Sequence, residues 1–101
     1  MTTLETDHIQ DQLDKPTYTL ILVGTETCEY CKLLIPFFDE IKSTYRNANF
    51  FFLLTKNATW LWGIADLSMV PVTFLFYEGK LVTWFRGANL DSIKELLGHI
   101  E

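Results

Sequence analysis

The chain has 101 residues, enough to bury a core without staples, and a single domain over residues 1–101 is expected. Its formal charge is −5 and the charges are scattered, so no basic stripe exists to offset nucleic-acid phosphate or to meet an anionic membrane surface. No apolar segment approaches the ~20 residues needed to span a bilayer.

Met1 to Asp7 is polar and acidic, without the basic start and apolar stretch of a secretion leader, and a cytoplasmic protein is expected. Asp7-His8-Ile9-Gln10 reads as a capping box, followed by a short helix that Lys15-Pro16 ends near Asp14. Thr17 to Val23 is β-rich without strict alternation, the pattern of a strand buried on both faces.

Cys28-Glu29-Tyr30-Cys31 comes next and holds the only two cysteines of the chain. Residues three apart at a helix start share a face, so the two sulfurs can meet there. Free backbone N–H groups and the positive end of the helix dipole stabilise a thiolate at that place. In a reducing cytosol a lone pair of this kind suits catalysis or metal binding better than a structural bridge. A structural zinc needs four ligands, and the chain adds only His8 and His99, near opposite termini, so no metal is expected.

A helix is predicted over residues 28–46, with Leu34, Phe37, Phe38, Ile41 and Tyr45 on its apolar face and a kink at Pro36. Asn49 to Leu54 reads as a central strand. Asn57 to Leu67 reads as a weaker helix with Trp60, Trp62, Ile64 and Leu67 as core contacts. Val72 to Tyr77 and Leu81 to Phe85 flank Glu78-Gly79-Lys80, the signal of an antiparallel hairpin. Gly87-Ala88-Asn89 is a turn, Asn89 the N-cap of a last helix that carries Ile93, Leu96 and Leu97 inward. The order is α-β-α-β-α-β-β-α: an α/β fold with a mixed central sheet of four strands, or five, flanked by helices on both faces.

The residues that carry a family likeness are now in place. Cys28-x-x-Cys31 follows a buried strand and precedes Lys32, Pro36 lies in the following helix, Val70-Pro71 opens the next strand, and Gly79 and Gly87 occupy the hairpin and the last turn. In this order and at these intervals the chain resembles the thioredoxins over about residues 7–100. The resemblance implies the thioredoxin fold and reduction of protein disulfides through a Cys28–Cys31 dithiol/disulfide couple. Cys28 would be the nucleophile and Cys31 the resolving thiol. Pro71 would be the cis-proline, with Val70 pairing its backbone to an extended substrate segment. Met69, Thr27, Glu29 and Tyr30 would border the substrate, and Lys32 and Glu26 would tune the thiols. No cofactor beyond the redox-active disulfide is implied. The implied partners are protein disulfides and a thioredoxin reductase, and a monomer is expected.

The chain also departs from the family pattern. Thr27 stands where the family has Trp, and Leu22 where it buries an acid beneath the resolving cysteine. Glu29-Tyr30 replaces Gly-Pro, and Met69 replaces a small residue. Glu29 and Glu26 place negative charge near Cys28 and disfavour its thiolate, which implies a reducing rather than an oxidising couple. Without the buried acid, Cys31 should lose its proton slowly. These departures point to a restricted client set. The other readings are an accessory or binding module with one partner, an inert structural disulfide, and a glutaredoxin-like protein. The last fits less well, because the segment from Pro71 to Gly87 keeps thioredoxin spacing and has no Gly-Gly-x-x-Asp-like element for glutathione.

Overall fold

Seven consecutive residues, Tyr18–Gly24, form a strand in which every residue is buried, and the sheet is built outward from it. The structure, a computed structural model, describes residues 2–3 and 13–100. The capping box at Asp7 and Gln10, and the helix predicted there up to residue 12, lie outside the described residues. The strands are β1 (Thr2–Thr3), β2 (Tyr18–Gly24), β3 (Ala48–Leu54), β4 (Val72–Tyr77) and β5 (Lys80–Arg86), in the sheet order β1-β3-β2-β4-β5. β3 runs parallel to β1 and β2, whereas β4 is antiparallel to β2 and to β5, so the sheet is mixed. The α-helices among the described residues are α1 (Glu29–Ile41) and α2 (Leu90–Leu97).

Alternation along β2 divides the core into two layers. Leu20 and Leu22 face a cluster with Phe50, Phe52 and Leu75, covered by Leu34 and Phe38 of α1 and Ile93, Leu96 and Leu97 of α2. Ile21 and Val23 face the opposite cluster with Phe51, Leu53, Phe74 and Phe76, covered by Leu13, Ala58, Leu61, Ala65 and Leu67. Each large apolar side chain taken out of water contributes about 1.5–3 kcal/mol, which explains why the central strands read as continuous apolar runs. No helix among the described residues is long and apolar enough to cross a membrane.

Two predicted helices change. α1 ends at Ile41, short of residue 46, because beyond the Lys42 N–H bond to Phe38 O the chain tightens into three-residue bonds from Thr44 to Ile41 and from Tyr45 to Lys42. Ser43 and Thr44 are weak helix formers, and Tyr45 still packs half-buried against the core. The segment predicted as a helix from Asn57 to Leu67 forms two 3₁₀ turns, Thr55–Asn57 and Thr59–Gly63. Its bonds run Ala58 N–H to Thr55 O, Leu61 N–H to Ala58 O and Ile64 N–H to Leu61 O. The three-residue period rotates the apolar face, so Ala58, Leu61, Ala65 and Leu67 are buried and Trp60 is half-buried, while Trp62 and Ile64 are exposed.

The hairpin turns at Glu78 and Gly79 with φ of 51° and 81°, the paired left-handed residues of a tight two-residue loop. β5 contains a bulge: Phe76 pairs with Leu81 and Leu75 with Thr83, leaving Val82 as the extra residue. Asn89 caps α2, its side-chain oxygen accepting from Asp91 N–H at 2.8 Å and Ser92 N–H at 3.1 Å.

Phe38 is fully buried, with its ring 5.9 Å from that of Phe50, and holds α1 to the sheet. Phe38→Ala is expected to lower unfolding free energy by about 3–5 kcal/mol in urea titration. A loss below about 1 kcal/mol would show that α1 is not held by this contact.

Candidate functional site

The site forms where β2 ends and α1 begins. Cys28 is the N-cap of α1, and its Sγ accepts the Cys31 backbone N–H at 3.2 Å. The two cysteines are joined in a disulfide with their Cα atoms 5.2 Å apart. Cys31 is 2 % exposed and Cys28 8 %, so Cys28 is the more accessible residue although both belong to the core cluster. An N–H directed at Sγ from the first helical turn favours the anionic form of a Cys28 thiol. Thr25 O accepts the Cys28 N–H at 3.3 Å and closes the turn that carries the chain from strand to helix.

Sequence reasoning passed over Gly24, and the structure makes it central. A Cβ built on Gly24 would overlap the Cys31 Sγ and lie 3.2 Å from Phe52 Cε1. The helix start therefore rests directly on the backbone of β2. A glycine at a strand end is the sequence signal for such close approach, and here it precedes the cysteines.

Leu22 is fully buried in the same cluster as Cys31, two residues before Gly24 and on the same face. No carboxylate occupies that place. Its cross-strand partner is Thr73, fully buried, whose hydroxyl has no hydrogen-bond partner among the described residues.

The other predicted residues sort into four groups, the last of them Val70 and Pro71. Glu29 and Lys32 form an exposed ion pair with Lys32 Nζ 3.5 Å from Glu29 Oε1, so the lysine charge is directed at Glu29. Glu26 and Thr27 are exposed and line a cleft of about 340 Å³ with Thr25, Leu54, Thr55 and Lys56. Tyr30, at 59 % exposure, and Met69, at 67 %, present large apolar side chains to solvent.

Val70 packs half-buried against the cluster that contains both cysteines. The Val70–Pro71 peptide bond is cis, Pro71 is buried, and Pro71 O accepts the Gly87 N–H at 2.8 Å. Ahead of it, Ser68 N–H donates to Asp66 Oδ1 at 2.9 Å. Hydrogen bonds from the Ser68 hydroxyl and N–H hold the Asp66 carboxyl below its usual range, and the Arg86 charge adds to them.

No protein-family model and no curated protein matches the sequence. Solved structures do. A thioredoxin of Plasmodium falciparum superposes with a TM-score of 0.85 at 18 % identity, covering 100 % of both chains. Fasciola hepatica thioredoxin gives 0.82 at 17 % identity, again over 100 % of both chains. Thioredoxin f of spinach chloroplast gives 0.83 at 20 % identity over 96 % of this chain and 89 % of its own. The fold is the thioredoxin fold.

Two expectations follow. Gly24→Ala forces Cys31 and the helix start to shift, so it should cost about 1–3 kcal/mol in urea unfolding of the oxidised protein. It should also slow re-formation of the disulfide as followed by thiol titration. Wild-type behaviour in both would remove Gly24 from the account. The Asp66 carboxyl binds its proton less readily when folded, so its stabilising contribution is complete above the usual carboxylate range and is lost as pH falls through its lower folded value. Asp66→Asn should therefore be slightly less stable than wild type at neutral pH, and the gap should close in acid. A gap that is constant with pH would contradict this.

Proposed function

We propose that this protein belongs with the thioredoxins and is a thiol–disulfide oxidoreductase that reduces protein disulfides through Cys28 and Cys31. The observation that carries the reading is the pair itself: a disulfide at the first turn of α1, with Cys28 Sγ accepting a helix N–H. A lone structural bridge has no need of a helix N-terminus directed at one of its sulfurs.

In the reduced protein the Cys28 thiolate attacks one sulfur of a substrate disulfide. A mixed disulfide forms, and the other substrate sulfur leaves as a thiolate that takes up a proton. Cys31 then loses its proton and attacks Cys28 Sγ, closing the Cys28–Cys31 disulfide and releasing the second substrate thiol. Two electrons pass to the substrate, and a dithiol donor such as a thioredoxin reductase must return the pair to the reduced state. Leu22 offers no carboxylate to receive the Cys31 proton, so water or a substrate group takes it, and this step limits turnover. Val70 supplies backbone pairing to an extended substrate segment beside the cysteines, and Met69, Tyr30 and Thr27 frame it.

A restricted client set is part of the reading. Tyr30, between the cysteines, and Met69, next to Val70, place two bulky apolar groups at the surface, and Glu29 is turned toward Lys32, so recognition there is apolar and sterically selective.

Trapping tests the whole reading. Cys31→Ser leaves the mixed disulfide unresolved, so an extract passed over immobilised C31S should yield a small set of partners released by dithiothreitol. Cys28→Ser should trap none and should abolish insulin reduction. A broad spread of partners would remove the restriction and leave a general reductase, whereas an empty C31S column with no insulin reduction by wild type would reject the oxidoreductase reading.

A further inference from the structure

Arg86 ends β5, opposite Val72 at the start of β4, and its side chain turns back over the segment that leads into Pro71. Its Nη1 donates to Asp66 O at 2.7 Å and also to Met69 O. These carbonyls lie 20 and 17 residues earlier in the chain, so the contacts tie two distant segments together. The guanidinium carbon sits 5.9 Å from the Trp84 ring centre, and Trp84 stacks on Phe74 at 6.2 Å in the core of the opposite layer. A planar, permanently charged donor braced on an aromatic face loses little entropy when it holds its acceptors.

Four contacts then bound the segment from Asp66 to Pro71. Leu67 is buried in the core, Ser68 N–H is held by Asp66 Oδ1, Arg86 takes the carbonyls of Asp66 and Met69, and Gly87 N–H takes Pro71 O. The Met69 side chain is 67 % exposed, so core packing does little to fix it. The Arg86 bond to its carbonyl fixes the backbone at Met69, next to Val70, which packs on the cysteine cluster.

We infer that Arg86 is a positioning residue for substrate recognition: it holds the Asp66–Met69 backbone so that Met69 and Val70 meet an extended protein segment beside Cys28. The assignment rests on the oxidoreductase reading above. It goes beyond it in naming a residue outside the cysteine loop that governs selection of protein over small disulfides. Nothing in the linear sequence marks it, because one arginine at the end of an edge strand is ordinary.

The test compares two substrates in wild type, Arg86→Ala and Arg86→Lys. Insulin needs the segment for docking, while a small aromatic disulfide needs only access to Cys28. R86A should raise KM for insulin by at least about tenfold, because the segment must then be ordered on docking without the charge-assisted bonds that held it. Its rate with the small disulfide should stay within about twofold of wild type, and the redox potential of the pair should not move. R86K, which keeps the charge without the planar fork, should recover only part of the insulin KM. Hydrogen exchange gives a readout without turnover: the Ser68 amide should exchange at least about tenfold faster in R86A while the Gly87 amide keeps its rate. An unchanged insulin KM in R86A overturns the assignment, and so does an equal loss with both substrates, which would mark Arg86 as merely structural. If wild type reduces neither disulfide, the oxidoreductase reading itself has failed and the assignment falls with it. If wild type reduces both and R86A matches it on insulin, the assignment alone fails.

Discussion

The contact between Cys31 Sγ and the bare backbone of Gly24 is the constraint on which the site depends. The register of β2 turns Leu22 and Gly24 to the same face, and α1 is pressed onto that face by Leu34 and Phe38. Because Gly24 has no side chain, the helix can begin against the strand itself. Cys31 is then buried and Cys28 is left at the cap, where its sulfur takes a helix N–H. The difference between the two cysteines in burial and in hydrogen bonding comes from this one close approach. A chemically asymmetric pair is what stepwise disulfide exchange requires.

The second wall of the site is held from the far side of the sheet, through the bulge in β5. Val82 is the extra residue, so Trp84 falls opposite Phe74 and Arg86 opposite Val72. Without it every later residue of β5 would move one place, and Trp84 and Arg86 would pass to the other face. Trp84 would leave Phe74, and Arg86 would face away from the carbonyls of Asp66 and Met69. A surface irregularity on an edge strand thus sets the position of backbone near the cysteines.

What could be read from the chain beforehand followed the strength of local signals. β2 and β3 are continuous apolar runs, and Asn89 with Asp91 marks a helix start, so these elements lie within a residue or so of their predicted bounds. The cysteine pair was legible because residues three apart at a helix start must share a face. The segment after β3 was not, since Trp60, Trp62, Ile64 and Leu67 fit a helical face as well as they fit alternating 3₁₀ turns. Only tertiary packing of Ala58 and Leu61 selects the tighter period. The Lys32–Glu29 pair redirects a charge that had been assigned to the thiols. Arg86 stayed hidden because its partners are backbone carbonyls, which have no residue identity to read.

The charges around the pair pull in opposite directions. The helix N–H favours a Cys28 thiolate, whereas Glu26 and Glu29 oppose it, the latter partly offset by Lys32. With no buried acid at Leu22 and no further cation directed at Cys28 in the ion pairs above, the dithiol is not strongly stabilised over the disulfide. Equilibration of the Cys28–Cys31 pair in dithiol/disulfide buffers of known potential tests this account most directly. The account predicts a reversible two-electron titration on the reducing side, near the thioredoxin value of about −270 mV. A pair that does not exchange with the buffer at all, or one that titrates near about −120 mV as a strong oxidant does, would contradict it.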